Sequence, residues 1–159
     1  MEVVLVRIDN RLIHGQVSTM WVGNHKVDRL IVANDAAAKN PVEKSVLKMA
    51  KPRTIKSLDI LTVAEAAKLI LSDKSKDRAM VVTRVPQDIR GLLDAGVPMT
   101  EVYVGNMHGG PGKEQLDQCV AVDEEEKALL TEFARQGITL ISQMTPSSPR
   151  TELNKKLLG

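Results

Sequence analysis

Short β-branched apolar runs alternate along the chain with longer stretches in which apolar residues recur every three or four positions. Residues 3–8, 29–33, 53–58, 79–83, 101–104, 119–122 and 138–142 have strand character. Helical patterns lie between most of them. Asn40-Pro41 sets a capping side chain ahead of a proline at the first helical position, and Val42, Val46, Leu47, Met49 and Ala50 then share one face, predicting a helix that packs on the core. Thr62 with Glu65, and Asp123 with Glu126, have capping-box spacing and each precedes an apolar-periodic segment. Gly96 and Gly137 stand where a helix end needs a left-handed residue.

Strand–helix alternation at this spacing implies right-handed crossovers, hence a single-domain α/β fold: an open, mostly parallel sheet of about seven strands with helices on both faces. No internal repeat or Gly/Ser linker divides residues 1–159, so the chain is expected to be one domain whose last 10–15 residues form an appendage. Ligands of such folds sit beyond the carboxyl ends of the strands, which directs attention to the residues after Ile8, Ala33, Thr83 and Val104.

The first of these positions is the richest. Arg7-Ile8-Asp9-Asn10-Arg11-Leu12-Ile13-His14-Gly15-Gln16-Val17 packs two guanidiniums, a carboxylate and an imidazole into one loop, and a helix is predicted to begin near Gly15, pass Trp21 and stop at Gly23. Near neutral pH an ordinary imidazole is largely uncharged and nucleophilic. A helix start offers unpaired amides, and arginine offers a fork matched to phosphate oxygens, so one environment suits both free and phosphorylated histidine. His14 as nucleophile and Arg11 as its charge clamp are the candidate catalytic residues, and Arg7, Asp9, Asn10, Gly15 and Gln16 are the candidate phosphate-site residues around them. Asp9 either orients the ring or pairs with an arginine, and Arg7, if it lies on the strand, can point away from the loop. Arg84, after the fourth strand, is positioned to add a further phosphate donor.

Composition narrows the function classes. The 22 Lys plus Arg nearly balance 20 Asp plus Glu, leaving a net charge of +2 that builds no global field for nucleic acid. Aromatic residues make up 2% of the chain, too few for a base-stacking platform. No run approaches the ~18 apolar residues of a membrane span, and no basic region with a cleavage site opens the sequence, so a cytoplasmic location is expected. The single cysteine, Cys119, excludes an internal disulfide framework and reads as a small buried hydrophobe; Met20, Met49 and Met80 read as core filling. No metal or cofactor is expected: His25 and His108 lack ligand spacing, and residues 105–112 are glycine-rich, but Lys113 precedes Glu114 rather than the Ser or Thr of a nucleotide loop. Asn106 and His108, on that loop, are expected to border the site, and Asn34-Asp35 reads as a turn.

The run RIDNRLIHGQV with its following Trp21 resembles the active-site segment of enzyme IIB of the mannose/fructose/sorbose family (which includes N-acetylgalactosamine systems) of the bacterial sugar phosphotransferase system. VANDAAAKNPVEKSVLKMAKP, GLLDAGVPMTEVYVGNMH and the Gly137-Ile138-Thr139 strand continue the resemblance over nearly the whole chain. The resemblance implies a cytoplasmic protein-N(π)-phosphohistidine–sugar phosphotransferase, associated peripherally with membrane subunits. His14 would accept a phosphoryl group from phosphorylated enzyme IIA and pass it to a sugar entering through the membrane subunits IIC and IID. Two stretches depart from the family pattern: Thr145-Pro146-Ser147-Ser148-Pro149 replaces a Val-Pro-x-Asp ending, and His108-Gly109-Gly110-Pro111-Gly112 differs from the usual loop. The alternative reading of the residues is a non-catalytic anion-binding or regulatory α/β module in which His14 only hydrogen-bonds a ligand.

Overall fold

The computed structural model describes residues 1–159. Its first half runs β1 (Glu2–Asp9), α1 (Gly15–Asn24), β2 (Arg29–Ala33), α2 (Asp35–Ala38), α3 (Pro41–Met49), β3 (Ser57–Leu61), α4 (Val63–Ser72) and β4 (Arg78–Thr83). The second half runs α5 (Pro86–Asp94), β5 (Glu101–Asn106), β6 (Glu114–Asp117), β7 (Val120–Val122), α6 (Glu124–Arg135), β8 (Thr139–Ser142), β9 (Thr151–Glu152) and α7 (Asn154–Leu158). Seven strands form one sheet in the order β3-β2-β4-β1-β5-β8-β9, parallel except for β9, which pairs antiparallel with β8. This is the α/β class expected.

Strand side chains alternate between two buried faces, as a covered parallel sheet requires. Ile31, Ala33, Val81, Val102 and Val104 join residues of α4, α5, α6 and α7 in one core cluster, while Leu30, Val32, Met80, Val82 and Ile141 join Trp21, Val22 and Leu47 of α1 and α3 in the other. Leu5 lies on the α1 face and Ile8 on the opposite one, so Arg7, two residues from Leu5, is directed toward α1.

The local signals are realised at atomic level. The Thr62 hydroxyl accepts from Glu65 N while Glu65 accepts from Thr62 N, and Asp123 and Glu126 do the same. Gly96 and Gly137 adopt φ of 96° and 89°, values that a side chain would make strained.

Several expectations need correction. β3 is Ser57–Leu61 rather than 53–58, because pairing with β2 in register from Arg29↔Ser57 to Ala33↔Leu61 sets its position, and Ile55 instead plugs the core before the strand starts. The 119–122 run is not in the main sheet: β7 pairs with β6 in a separate hairpin, and Cys119 beside it is half-buried. The supposed appendage is integrated, since β9 completes the sheet and Leu153 and Leu157 enter the core. On α3 only Leu47 is buried; Val42, Val46 and Met49 face outward. Met80 fills core as expected, but Met20 and Met49 are exposed. Asn34 is the N-cap of the short α2, accepting from Ala37 N at 2.9 Å.

Candidate functional site

The turn between β1 and α1 is held from inside by its own apolar residues. Leu12 N donates to Asp9 O at 2.9 Å, and Leu12 takes φ 62°, a left-handed conformation costing a non-glycine residue about 1–2 kcal/mol. Burial of the Leu12 and Ile13 side chains, at 2% and 6% exposure, offsets that strain. With these two residues anchored inward, the next one, His14, is exposed.

His14 is also the residue that caps α1. Its amide donates to Ser18 Oγ at 2.9 Å, and its carbonyl accepts from Ser18 N at 3.2 Å, so a buried serine one turn on fixes the histidine backbone. The amides of Gly15, Gln16 and Val17 have no acceptor within the protein, and the imidazole likewise makes no internal hydrogen bond. Three free amides at the positive end of a ten-residue helix form a ready anion cradle beside the ring.

Asp9 resolves the first open alternative. It accepts from Arg11 Nε and Nη2, both at 3.1 Å, and from Arg11 N at 2.9 Å, so it orients Arg11 rather than His14. The pairing leaves Nη1 of Arg11 available to an anion. Asn10 is similarly committed: Nδ2 donates to Arg84 O at 2.8 Å, and Oδ1 accepts from His108 N at 2.6 Å. It stitches the turn to the loops after β4 and β5 and is not a free phosphate ligand.

The structure also reassigns Arg7. Its side chain is 2% exposed; Nη1 donates to Gln143 O and Nη2 to Met144 O, each at 2.9 Å, and the guanidinium lies 4.8 Å from the centroid of the Trp21 ring. Burial pulls its pKa down to about 10. Arg7 is an interior strut, its guanidinium committed to carbonyls of the segment after β8. Trp21 Nε1 donates to the same Met144 carbonyl at 2.9 Å, so the segment after β8 is locked beneath the turn.

Arg84 does stand at the carboxyl end of β4, but its guanidinium is occupied by Glu43 of α3 at 2.9 Å and by Asn34 Oδ1 at 3.5 Å. Its backbone is fixed by Asp88, whose Oδ2 accepts from Arg84 N, Val85 N and Asn34 Nδ2. Burial raises the Asp88 pKa, opposed by these three donors. His108 is exposed, its Nδ1 3.2 Å from Asn106 Nδ2. His25 is far from this chemistry, packed on Trp21 and Tyr103 at the other end of α1. No three His, Cys, Asp or Glu side chains cluster to hold a metal ion.

Sequence reasoning missed Ser18, Met144 and Glu43. The four-residue spacing of His14 and Ser18 on a helix start was a usable signal. Nothing local connects Arg7 to carbonyls more than 130 residues away.

Comparison with known proteins identifies the family. The family model for the sorbose-subfamily IIB component of the phosphotransferase system matches residues 3–158. The N-acetylgalactosamine-specific phosphotransferase enzyme IIB component 2 of Escherichia coli is 34% identical over 98% of both chains, and the fructose-specific EIIB component of Bacillus subtilis is 33% identical over 92% of this chain and 90% of the other. The mannose-specific EIIAB component of Escherichia coli is 32% identical over 96% of this chain but only 47% of its own length. The crystal structure of the IIBSor domain of the sorbose permease of Klebsiella pneumoniae superposes with a TM-score of 0.91 at 27% identity, covering 99% of this chain and 97% of the other. A family match over residues 3–158, with these relatives and this fold, makes the chain a member of the sorbose-subfamily IIB components, phosphotransferases of the sugar phosphotransferase system.

Proposed function

We propose that His14 is the residue through which this IIB component carries its phosphoryl group. A ring nitrogen attacks the phosphorus of the phosphohistidine on enzyme IIA; the new N–P bond forms as the donor's N–P bond breaks, and the donor ring recovers its lone pair. In the second step a sugar hydroxyl attacks the same phosphorus; its O–P bond forms as the His14 N–P bond breaks, the hydroxyl proton passes to solvent, and the His14 ring recovers its lone pair. The observation that carries the reading is the exposed His14 imidazole beside the unpaired amides of Gly15, Gln16 and Val17.

Those amides and Arg11 Nη1 receive charge on the phosphoryl oxygens in both steps, where charge stabilisation and positioning supply most of the catalysis. Arg7, Asp9 and Asn10 act through the frame instead. The EIIAB relative, which carries A and B parts in one chain, supports enzyme IIA as donor. No helix is long and apolar enough to cross a membrane. Family membership supports a cytoplasmic placement, where the chain meets IIC and IID and leaves the sugar to them. Family membership weighs against the non-catalytic module.

The test is reconstitution: membranes bearing IIC and IID, supplied with phosphorylated IIA, should phosphorylate sugar when this protein is added and fail with His14→Gln. Sugar phosphorylation supported by the folded His14→Gln protein would refute the assignment.

A further inference from the structure

Six large apolar side chains remain exposed, and three of them lie on α3 at i, i+4 and i+7: Val42 at 73%, Val46 at 59% and Met49 at 87%. That spacing makes a single stripe on the outward side of the helix, opposite the buried Leu47. On the other flank of the helix, beyond Ser45 and Pro41, Lys44 and Lys48 join Lys39 and Ala38 in lining a shallow hollow of about 330 Å³. Lys51 and Arg53 stand exposed just past the helix end.

None of these five cations forms an ion pair, and the acids around them are engaged elsewhere. Glu43 is turned to Arg84, Asp35 accepts from Val63 N at 2.8 Å, and Glu65 closes the capping box with Thr62. Lys39 and Lys44 lie near enough to Glu65 to help lower its pKa, but five cations outnumber the nearby acids, so the patch combines net positive charge with protruding apolar side chains, and neither is used by the His14 site.

We infer that α3 is a membrane-surface element, its lysines engaging the headgroup phosphates of an anionic bilayer while Val42, Val46 and Met49 enter the boundary between headgroups and acyl chains. An exposed apolar face bordered by lysine is the arrangement by which helices lie on such surfaces. Two features favour a bilayer over an acidic protein. The three apolar side chains protrude, at 59–87% exposure, and a deformable surface accepts such groups without a preformed groove. The cations on the helix and its hollow are lysines, point charges on flexible stems suited to a diffuse anionic field, rather than arginine forks suited to carboxylates in register. A IIB component held near the bilayer would search for its membrane subunits in two dimensions.

The experiment is co-sedimentation of the full chain with vesicles at low ionic strength, comparing phosphatidylcholine alone with mixtures containing phosphatidylglycerol. Binding should appear only with phosphatidylglycerol and rise with its fraction. Lys39→Gln/Lys44→Gln/Lys48→Gln should weaken it by on the order of 100-fold, since each interfacial lysine contributes about fivefold. Val42→Ser/Val46→Ser/Met49→Ser should weaken it about tenfold and make the remainder fully salt-sensitive. All six positions are surface ones, and circular dichroism melts verify that both variants fold. His14→Gln should bind vesicles like the unaltered protein, so this inference stands or falls separately from the phosphoryl site. Equal sedimentation with both lipids, indifference to the lysine substitutions, or release by millimolar inorganic phosphate at constant ionic strength would overturn it, the last by showing a small-anion site.

Discussion

Replacing Arg7 by methionine removes a buried charge while keeping an apolar stem of similar length, and so separates an interior strut from a phosphate ligand. Two charge-assisted hydrogen bonds, to Gln143 O and Met144 O, are lost, worth about 3–6 kcal/mol together. Loss of the contact with the Trp21 face adds about 1–2 kcal/mol. Against this stands relief from burying the charge: the fall of the Arg7 pKa to about 10 corresponds to about 3 kcal/mol. The Met144 carbonyl keeps its bond from Trp21 Nε1, so Gln143 O alone is orphaned. The net cost is about 1–5 kcal/mol, or about 2–20 °C in Tm for a chain of this size. Thermal and urea denaturation measure it. At low temperature, where the variant is folded, phosphorylated IIA should still phosphorylate it to the same final extent. Arg7→Lys should not restore stability, because one ammonium cannot bridge two carbonyls in a fixed fork. An Arg7→Met protein of unchanged Tm that no longer accepts phosphoryl would show the reasoning wrong and return Arg7 to the phosphate.

Other consequences are equally concrete. Gly105→Ala places a Cβ against the Arg7 guanidinium, 2.7 Å from Nε, so it should destabilise about as much as Arg7→Met and add little in the double variant. Ser18→Ala removes the acceptor of the His14 amide, costing about 1 kcal/mol and slowing phosphoryl acceptance; normal rates in the variant would mean that the backbone clamp is dispensable. Ser75 and Arg29 hold the Asp73 carboxyl far below its usual pKa of 3.8, so its stabilisation is present above that value and lost as pH falls. Urea midpoints should therefore drop between pH 5 and 2, less steeply in Asp73→Asn, and equal slopes would count against the pairing. With 2% aromatic residues the isolated chain should show no measurable heat on titration with free sugar; micromolar affinity would contradict leaving the sugar to the membrane subunits.

What was legible in the sequence is what local physics decides. The Thr62/Glu65 and Asp123/Glu126 boxes, the proline after Asn40 and the glycines at 96 and 137 each satisfy a backbone requirement within a few residues, and all are realised. The turn bearing His14 was legible because strand, charged loop and helix start are contiguous. Features set by distant partners were not. Amphipathic periodicity cannot say whether one apolar side chain or a whole stripe will find a neighbour, and on α3 only Leu47 does. β-propensity around residue 55 placed a strand that inter-strand register moved toward Leu61. Arg7 reads as a phosphate donor in a basic motif until carbonyls contributed by residues 143 and 144 are seen beneath it.

The central claim is that His14 covalently holds the phosphoryl group, and intact-mass measurement after mixing with phosphorylated IIA tests it most directly. The unaltered protein should gain one phosphoryl group, lost again on brief acid treatment, and His14→Gln should gain none. An equal gain in both proteins, or an acid-stable adduct on either, would contradict the account.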